Sequence, residues 1–251
     1  MLAPMAMALR QQGAPVKIVY LGHRDGTAMM VRKDSRIYSV KDLKGKRIAI
    51  PNRFSNQNLI LYKGLRDNGM SISDLTIVEM PPPDMPAALY ANAVDAITAG
   101  EPLMAQTELE GYGRVLYQAK ALWPDFISCV LVVRDDAIEQ HTEWVQRLVD
   151  GIARSGKWLD AGMDHRMRAA DVVAQKYYNQ NPRLLRFVLS QPPDRVTYSK
   201  LALARPDFDH IASLALEAGI LKGPIAFEAY ADTRFSERAL GAQAYAWEGG
   251  K

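Results

Sequence analysis

The sequence is poor in cysteine, in net charge and in long hydrophobic runs, and each shortage excludes a class of protein. Cys129 is the single cysteine among 251 residues, so an intrachain disulfide framework is excluded. Lysine and arginine number 31 against 28 acidic residues, and no run of like charges concentrates the net charge of +3. We therefore expect no nucleic-acid partner, since nucleic acids require a concentrated basic face. No apolar stretch reaches the roughly 18 residues of a membrane-spanning helix, so no span is predicted in this chain.

Common catalytic signatures are also missing from the sequence. It contains none of the patterns HExxH, CxxC, GxSxG or GxxxxGK[ST], which mark zinc peptidases, dithiol redox proteins, α/β-hydrolases and P-loop proteins. We therefore predict no metal, no cofactor and no catalytic residue. An enzyme could still act through His23, in a polar segment after a strand, or through Cys129, in an apolar strand. That alternative stays open.

Strand and helix patterns alternate through the first half of the chain. Arg47–Ile50 is a short apolar run that ends at a proline, and helical periodicity follows it up to Gly69. Thr76–Met80 is again a strand pattern, and from about residue 135 helical periodicity dominates. Such alternation is typical of an α/β protein built around a sheet. No long linker separates the two parts, which indicates that the chain crosses between them along strands.

Polar segments follow the predicted strands at residues 22–26, 51–58, 80–86 and 100–104. In open α/β sheets, ligands bind beyond the carboxyl ends of the strands, so these segments predict one binding cleft. The second segment also precedes a helix, whose first N–H groups and dipole attract anions. The predicted ligand contacts are Arg24, Asp25, Asn52, Ser55, Gln57, Asp84 and Glu101, with Trp123 as an apolar wall.

The sequence resembles the solute-binding proteins of ABC importers in six segments that occur in the same order. These are MLAPM (1–5), DLKGKRIAIP (42–51), FSNQN (54–58), VEMPPPDM (78–85), GEP (100–102) and LWPD (122–125). The group that the segments resemble binds nitrate, sulfonates, bicarbonate and taurine. The resemblance implies a substrate-binding component that captures a small-molecule ligand and presents it to ABC permease and ATPase subunits.

The same resemblance implies a type II periplasmic-binding fold, in which two α/β lobes are joined by two crossing strands and enclose the ligand cleft. The crossing strands would be Thr27–Val31 and Ile127–Val133. The first lobe would contain residues 1–42 and 127–251, the latter part mostly helical. The second lobe would contain residues 43–126.

Two departures from the family pattern concern the ligand. Nitrate and bicarbonate binders carry a histidine where this sequence has Gln57, and a charged residue in the segment that aligns with Cys129. A buried inorganic anion needs a paired cation. We therefore expect a larger organic ligand, such as a sulfonate, a taurine-like molecule or a heterocyclic nitrogen compound, in preference to nitrate or bicarbonate. Gln57 and Cys129 would both contact it.

The resemblance begins inside the family pattern, because MLAPM normally follows a strand, a helix and a second strand. We therefore expect that this chain lacks those elements and the signal peptide that precedes them. The family implies a periplasmic or lipid-anchored extracytoplasmic location. A sensory domain that uses the cleft as a detector is a further alternative, although the sequence has no helix-turn-helix or kinase segment.

Overall fold

The computed structural model of the protein describes residues 1–177 and 180–242. The end of the predicted first lobe, residues 243–251, lies outside the described residues. Among the helices of the described part, none combines the length and the apolar composition needed to cross a bilayer.

Strands and helices alternate in the first half of the described chain, and helices dominate the second half. The strands are β1 (Val16–Asp25), β2 (Thr27–Arg32), β3 (Arg47–Ile50), β4 (Thr76–Glu79), β5 (Ala96–Gly100), β6 (Gly113–Gln118), β7 (Ile127–Arg134) and β8 (Val196–Thr197). The helices are α1 (Ala3–Gln11), α2 (Asn56–Asp67), α3 (Met85–Tyr90), α4 (Leu103–Leu109), α5 (Ala119–Leu122), α6 (Asp135–Gln140), α7 (Thr142–Asp160), α8 (Met163–Lys176), α9 (Pro182–Ser190), α10 (Arg205–Glu217), α11 (Phe227–Tyr230) and α12 (Arg234–Ala242).

The strands form two sheets. Sheet I has three antiparallel strands in the order β7-β1-β8, and sheet II has five strands in the order β4-β3-β5-β2-β6. In sheet II, β3 runs parallel to β4 and β5, whereas β2 runs antiparallel to β5 and β6. The carboxyl ends of β3, β4 and β5 therefore share one edge of sheet II, as the polar segments predicted.

Both faces of sheet II are buried at β2. Successive side chains of a strand point to opposite faces of the sheet, so the residues of β2 report on both. Met29 and Val31 pack on one face and Ala28 and Met30 on the other, and all four are fully buried. This explains why β2 is an unbroken apolar run without a polar face. The largest apolar core lies around sheet I, where it joins β1 and β7 to α1, α7 and α10.

The chain changes sheets at positions that differ from the predicted crossing strands. Thr27–Val31 lies wholly in sheet II and Ile127–Val133 pairs with β1 in sheet I, so neither strand spans both sheets. The chain passes from sheet I to sheet II at Gly26 and returns between β6 and β7. Asp25 and Gly26 both have φ near +60°, which makes the sharp bend between β1 and β2.

The polar segment 22–26 is not a free loop. Residues 22–25 extend β1, and within them His23 pairs with Cys129 on β7. Shifts in register on both sides of His23 mark bulges in this ladder. Bulges re-aim side chains and are common near binding sites. The neighbouring strand β7 thus supplies backbone hydrogen-bond partners, and these hold the polar residues 22–25 in an extended conformation.

Candidate functional site

The start of α2 lies at the junction of the two sheets. Ser55 caps this helix, since its hydroxyl accepts the N–H of Asn58 at 3.1 Å. Asn52 stabilises the turn before α2, because its side-chain oxygen accepts the N–H of Phe54 at 2.9 Å. Both roles are local and follow from the preference of Ser and Asn for caps and turns. Ser55 is fully buried and Asn52 half-buried, so both predicted residues lie at the helix start.

Gln57 projects from the first turn of α2 towards sheet II. Its amide nitrogen donates to the hydroxyl of Thr27 at 3.2 Å, and its side-chain oxygen has no partner in the described part of the chain. Gln57 is 3% exposed, so this oxygen is an unsatisfied buried acceptor. The hydroxyl of Thr98, on the same face of the sheet, is also buried and unpartnered. Such atoms need a hydrogen-bonding partner.

Asn56 connects α2 to the opposite sheet, a role that the sequence analysis missed. Its amide nitrogen donates to the backbone oxygens of Ile127 at 2.6 Å and Ser128 at 3.0 Å. Its own side-chain oxygen is buried without a partner in the described residues. Asn56 is part of the segment FSNQN, which was the available signal, but nothing in the sequence distinguished its role from that of Gln57.

His23 and Cys129 form a pair on the sheet I side of the junction. They stand opposite each other in the register of the β1–β7 ladder, and His23 Nδ1 lies 3.4 Å from the backbone oxygen of Arg24. Cys129 Sγ lies against Gly22, where an added Cβ would be 2.3 Å from the sulfur, so only glycine fits there. The His23 ring lies over Gly26, next to Thr27. We call Thr27, Gln57, His23 and Cys129 the crossover cluster.

Each member of the pair shifts the pKa of the other. Burial raises the pKa of the Cys129 thiol, but the interaction with His23 outweighs burial and lowers that pKa overall. Burial likewise lowers the pKa of His23, and the interaction with Cys129 outweighs it, so the His23 pKa rises. Thiolate and imidazolium therefore stabilise each other.

This pairing predicts an unusually acidic thiol. We expect iodoacetamide to alkylate Cys129 with a pH midpoint below the roughly 8.5 of an unperturbed thiol, because the thiolate is the nucleophile. His23→Gln removes the imidazolium and should return the midpoint to the ordinary range. Mass spectrometry gives an unambiguous readout, since Cys129 is the single cysteine. His165→Gln is the matched control, because His165 stacks on Trp158 away from the pair; equal midpoints in both variants would contradict the pairing.

The side chains of Arg24 and Glu101 form hydrogen bonds and ion pairs within the protein. Arg24 is 4% exposed and donates to the backbone oxygens of Lys200 and Asp125 and to the carboxylate of Asp207 at 2.7 Å. Glu101 accepts from Arg195 at 2.8 Å and from the N–H of Ala105. The ligand site proposed below does not include these two side chains, because their partners already satisfy them.

The other predicted contacts have different surroundings. Asp25 is buried, with one oxygen accepting from Thr197 at 3.3 Å and the other unpartnered, and burial raises the pKa of its carboxyl. Trp123 is buried against Phe126 and against the His210 ring at 4.4 Å. Asp84 is exposed in the turn after β4, at the same sheet edge but on the surface.

No group of three or more potential metal ligands is found among the described residues, so the geometry offers no metal centre there. The crossover cluster contains two such residues, His23 and Cys129. Its chemistry is that of a polar contact surface with one ionisable pair and with three unpartnered oxygens at or beside it, those of Gln57, Asn56 and Thr98.

Comparison with known proteins agrees with this fold. Residues 1–174 match the NMT1-like family. The chain is 31% identical over 146 residues to the taurine-binding periplasmic protein of Escherichia coli, covering 57% of this chain and 44% of that protein. It is 26% identical over 148 residues to the nitrate/nitrite binding protein NrtA of Nostoc sp., covering 59% of this chain and 34% of that protein. The chain thus spans less than half the length of these curated relatives.

Solved structures show the same architecture. The ligand-binding component of an ABC-type import system from Staphylococcus aureus superposes with a TM-score of 0.82 at 25% identity, covering 95% of this chain and 79% of that one. A desulfurization enzyme, DSZB, superposes with a TM-score of 0.67 at 17% identity, covering 96% and 84%, which shows the shared fold alone. Since the family match covers most of the described chain, the protein belongs to the NMT1-like family and has the mixed α/β fold of periplasmic binding proteins.

Proposed function

We propose that this protein is the substrate-binding component of an ABC importer, and that it captures a small organic nutrient at the junction of its two sheets. The observation that carries the proposal is the buried, unpartnered oxygen of Gln57 at the start of α2. Support comes from the free N–H groups of Asn56 and Gln57, for which the described residues offer no acceptor. Such N–H groups and the helix dipole suit an anionic group.

The proposed ligand contacts come from both sheets. Asn52, Ser55 and Gln57 lie on the sheet II side, whereas Cys129 lies on the sheet I side together with His23. Asp25 and Trp123 flank the junction. Asp84 is exposed at the same edge of sheet II, and we propose that it contacts the ligand only at the rim of the site.

Capture requires the two sheets to move apart. The gap beside Asn56 and Trp123 has a volume of about 10 Å³, which is roughly the space of one water. A ligand of several heavy atoms therefore does not fit beside Asn56 and Trp123 unless this gap opens. Contacts to both sheets then favour the closed arrangement, because a ligand shifts an equilibrium by its differential affinity for the two states.

The importer role brings with it a permease and an ATPase as partners, and a periplasmic or lipid-anchored extracytoplasmic location. The periplasmic location follows that of the taurine-binding relative, whereas the permease, the ATPase and the lipid anchor are part of the proposal. We expect the ligand to be a sulfonate, a taurine-like molecule or a heterocyclic nitrogen compound.

Replacing Gln57 by alanine tests the site. We expect taurine, used as the probe in calorimetry, to bind about 5- to 150-fold more weakly, since a buried polar partner is worth about 1–3 kcal/mol. Gln106→Ala is the matched control, because Gln106 makes the same type of hydrogen bond to Glu110 on the exposed side of α4. Unchanged affinity in Gln57→Ala, Asn52→Ala and Ser55→Ala would remove this helix start from the site.

An enzyme acting through Cys129 or His23 is the second candidate, and the favouring observation is that the β1–β7 register places the two residues opposite each other. The two functions predict different results after incubation with the ligand. A binding protein returns its ligand unchanged after incubation, whereas an enzyme forms a product, and Cys129→Ser would abolish it. Mass spectrometry of the recovered ligand distinguishes them.

A further inference from the structure

A cavity of about 420 Å³ lies at the edge of sheet II opposite to the crossover cluster. Arg32 ends β2 and Lys46 precedes β3, and both line this cavity. The crossover cluster lies at the other ends of the same strands. A strand rises about 3.3 Å per residue, so the five steps from Thr27 to Arg32 place the two regions roughly 17 Å apart. The cavity is therefore a separate feature from the ligand site proposed above.

The cavity carries a strong excess of positive charge. It is lined by the five cations Arg32, Arg36, Lys41, Lys44 and Lys46 and by two carboxylates, Asp42 and Asp95. This local excess of three equals the formal net charge of the whole chain, so the remaining charges balance. A concave surface lined by one sign of charge focuses the field and attracts counter-ions.

Both carboxylates are already engaged. Asp95 accepts from the backbone N–H of Arg47 at 2.8 Å and from its side chain. One oxygen of Asp42 accepts the N–H groups of Tyr38 and Ser39, each at 2.9 Å. Their charges therefore serve the local fold, and the hydrogen bonds lower the pKa of Asp42 and contribute to lowering that of Asp95.

Among the described residues, three of the five cations have no ion-pair partner. Arg32 is bound by Asp34 at 2.7 Å, and Lys44 lies 3.6 Å from Asp74. In the part of the chain that the structure describes, Arg36, Lys41 and Lys46 have no carboxylate at ion-pair distance, although Lys46 is near enough to Asp95 to help lower its pKa. Three like charges around one cavity repel one another unless an anion lies between them.

We propose that this basic cavity binds a small anion that carries at least two phosphate-type groups. Arginine offers a planar fork and lysine a point charge, and both are the usual partners of phosphate oxygens. Three unpaired cations call for more negative charge than one phosphate supplies. The volume lies within the range of small-molecule sites, and a recessed site favours a compact anion over a flat membrane surface. The proposal does not depend on the importer role.

Calorimetry with pyrophosphate on the full chain tests the proposal. We expect Arg36→Gln, Lys41→Gln and Lys46→Gln each to weaken binding about three- to fivefold, the value of an exposed ion pair, and the triple variant to weaken it about 30- to 125-fold. Lys222→Gln removes the same charge from an exposed position after α10 and should leave the affinity unchanged. Gln57→Ala should also bind pyrophosphate normally, because it belongs to the other site. Binding should weaken as salt is added.

Three results would overturn the proposal. The first is equal pyrophosphate affinity in the triple variant and in Lys222→Gln. The second is binding of orthophosphate as tight as that of pyrophosphate, which would remove the need for two groups. The third is cosedimentation with vesicles containing phosphatidylglycerol that pyrophosphate does not compete away, since the partner would then be a lipid surface. Thermal melts of every variant, matched to the unchanged protein, establish that each is folded.

Discussion

Replacing Arg195 by methionine is expected to lower the free energy of unfolding by about 3–5 kcal/mol. The Arg195 side chain is 2% exposed and lies between two carboxylates, Glu101 and Glu108, with both N–O distances 2.8 Å. The Glu101 side chain is equally hidden, at 3% exposure. Removing one partner of a buried pair leaves an uncompensated charge in the interior, and this is why the loss is large.

This ion pair links sheet I to sheet II. Arg195 precedes β8 of sheet I, whereas Glu101 follows β5 of sheet II. The backbone oxygen of Arg195 also accepts the N–H of Gly26, at the point where the chain changes sheets. We expect urea unfolding of Arg195→Met to show a lower midpoint with an unchanged slope, as a loss of stability alone requires.

Two further variants separate the ion pair from simple loss of packing. Arg195→Met with Glu101→Gln should recover part of the stability, because the orphaned charge is removed with its partner. Arg53→Met breaks the exposed pair with Glu79 and should cost less than about 1 kcal/mol. A loss in Arg195→Met no greater than in Arg53→Met would contradict the argument.

The pH dependence has a definite sign. Burial raises the pKa of Glu101 even though Arg195 lowers it, so the folded state binds a proton more readily than the unfolded chain. Stability from such a group is greatest at low pH and is lost as the pH rises through the folded pKa. Without Arg195 this pKa rises further. The destabilisation of Arg195→Met should therefore be smaller at about pH 5 than at pH 8.

Elements with local causes could be read from the sequence. Arg47–Ile50 is β3 with the predicted bounds, because an apolar run ends where Pro51 removes a backbone donor. Helix α2 begins after Ser55 and ends before Gly69, whose φ of 70° suits glycine. The α/β class follows from the same alternation and is confirmed by the two sheets and by the solved relatives.

Features that depend on distant partners could not be read in this way. The sheet to which β2 belongs is set by pairing with β5 and β6, and hydrophobicity alone does not select the partner. Glu101 looked like a free acid after a strand, yet its partner is Arg195, 94 residues later. His23 and Cys129 are likewise far apart in sequence and meet only through the β1–β7 register.

Nitrate and bicarbonate are expected to bind at least about a hundredfold more weakly than an organic sulfonate, which corresponds to roughly 2.7 kcal/mol. A bare inorganic anion needs a paired cation when it is buried. The guanidinium of Arg24 is held by Asp207 and by two backbone oxygens, so it does not supply that cation. His23 lies opposite Cys129 in the β1–β7 ladder, and its Nδ1 is 3.4 Å from the backbone oxygen of Arg24.

The unpartnered atoms favour a ligand that both accepts and donates hydrogen bonds. Free N–H groups at the start of α2 suit a sulfonate head, whereas the Gln57 oxygen requires a donor such as an amine or a heterocyclic N–H. Nitrate carries no donor and would leave that oxygen unsatisfied. A site built to bond a donor discriminates strongly against a ligand that lacks it.

A thermal-shift screen followed by calorimetry checks this specificity, because a ligand that binds the folded state alone raises its stability. Taurine, a sulfonate that also carries an amine donor, should raise the melting temperature, whereas nitrate and bicarbonate at equal concentration should not. Gln57→His places an imidazole at the helix start. We expect this variant to bind nitrate more tightly and so to reduce the difference in affinity between taurine and nitrate. Gln57→Asn, which keeps an amide without adding a cation, is its matched control. A submicromolar nitrate Kd for the unchanged protein would show that the junction supplies the missing positive charge in another way, and the argument from Gln57 and Cys129 would fail.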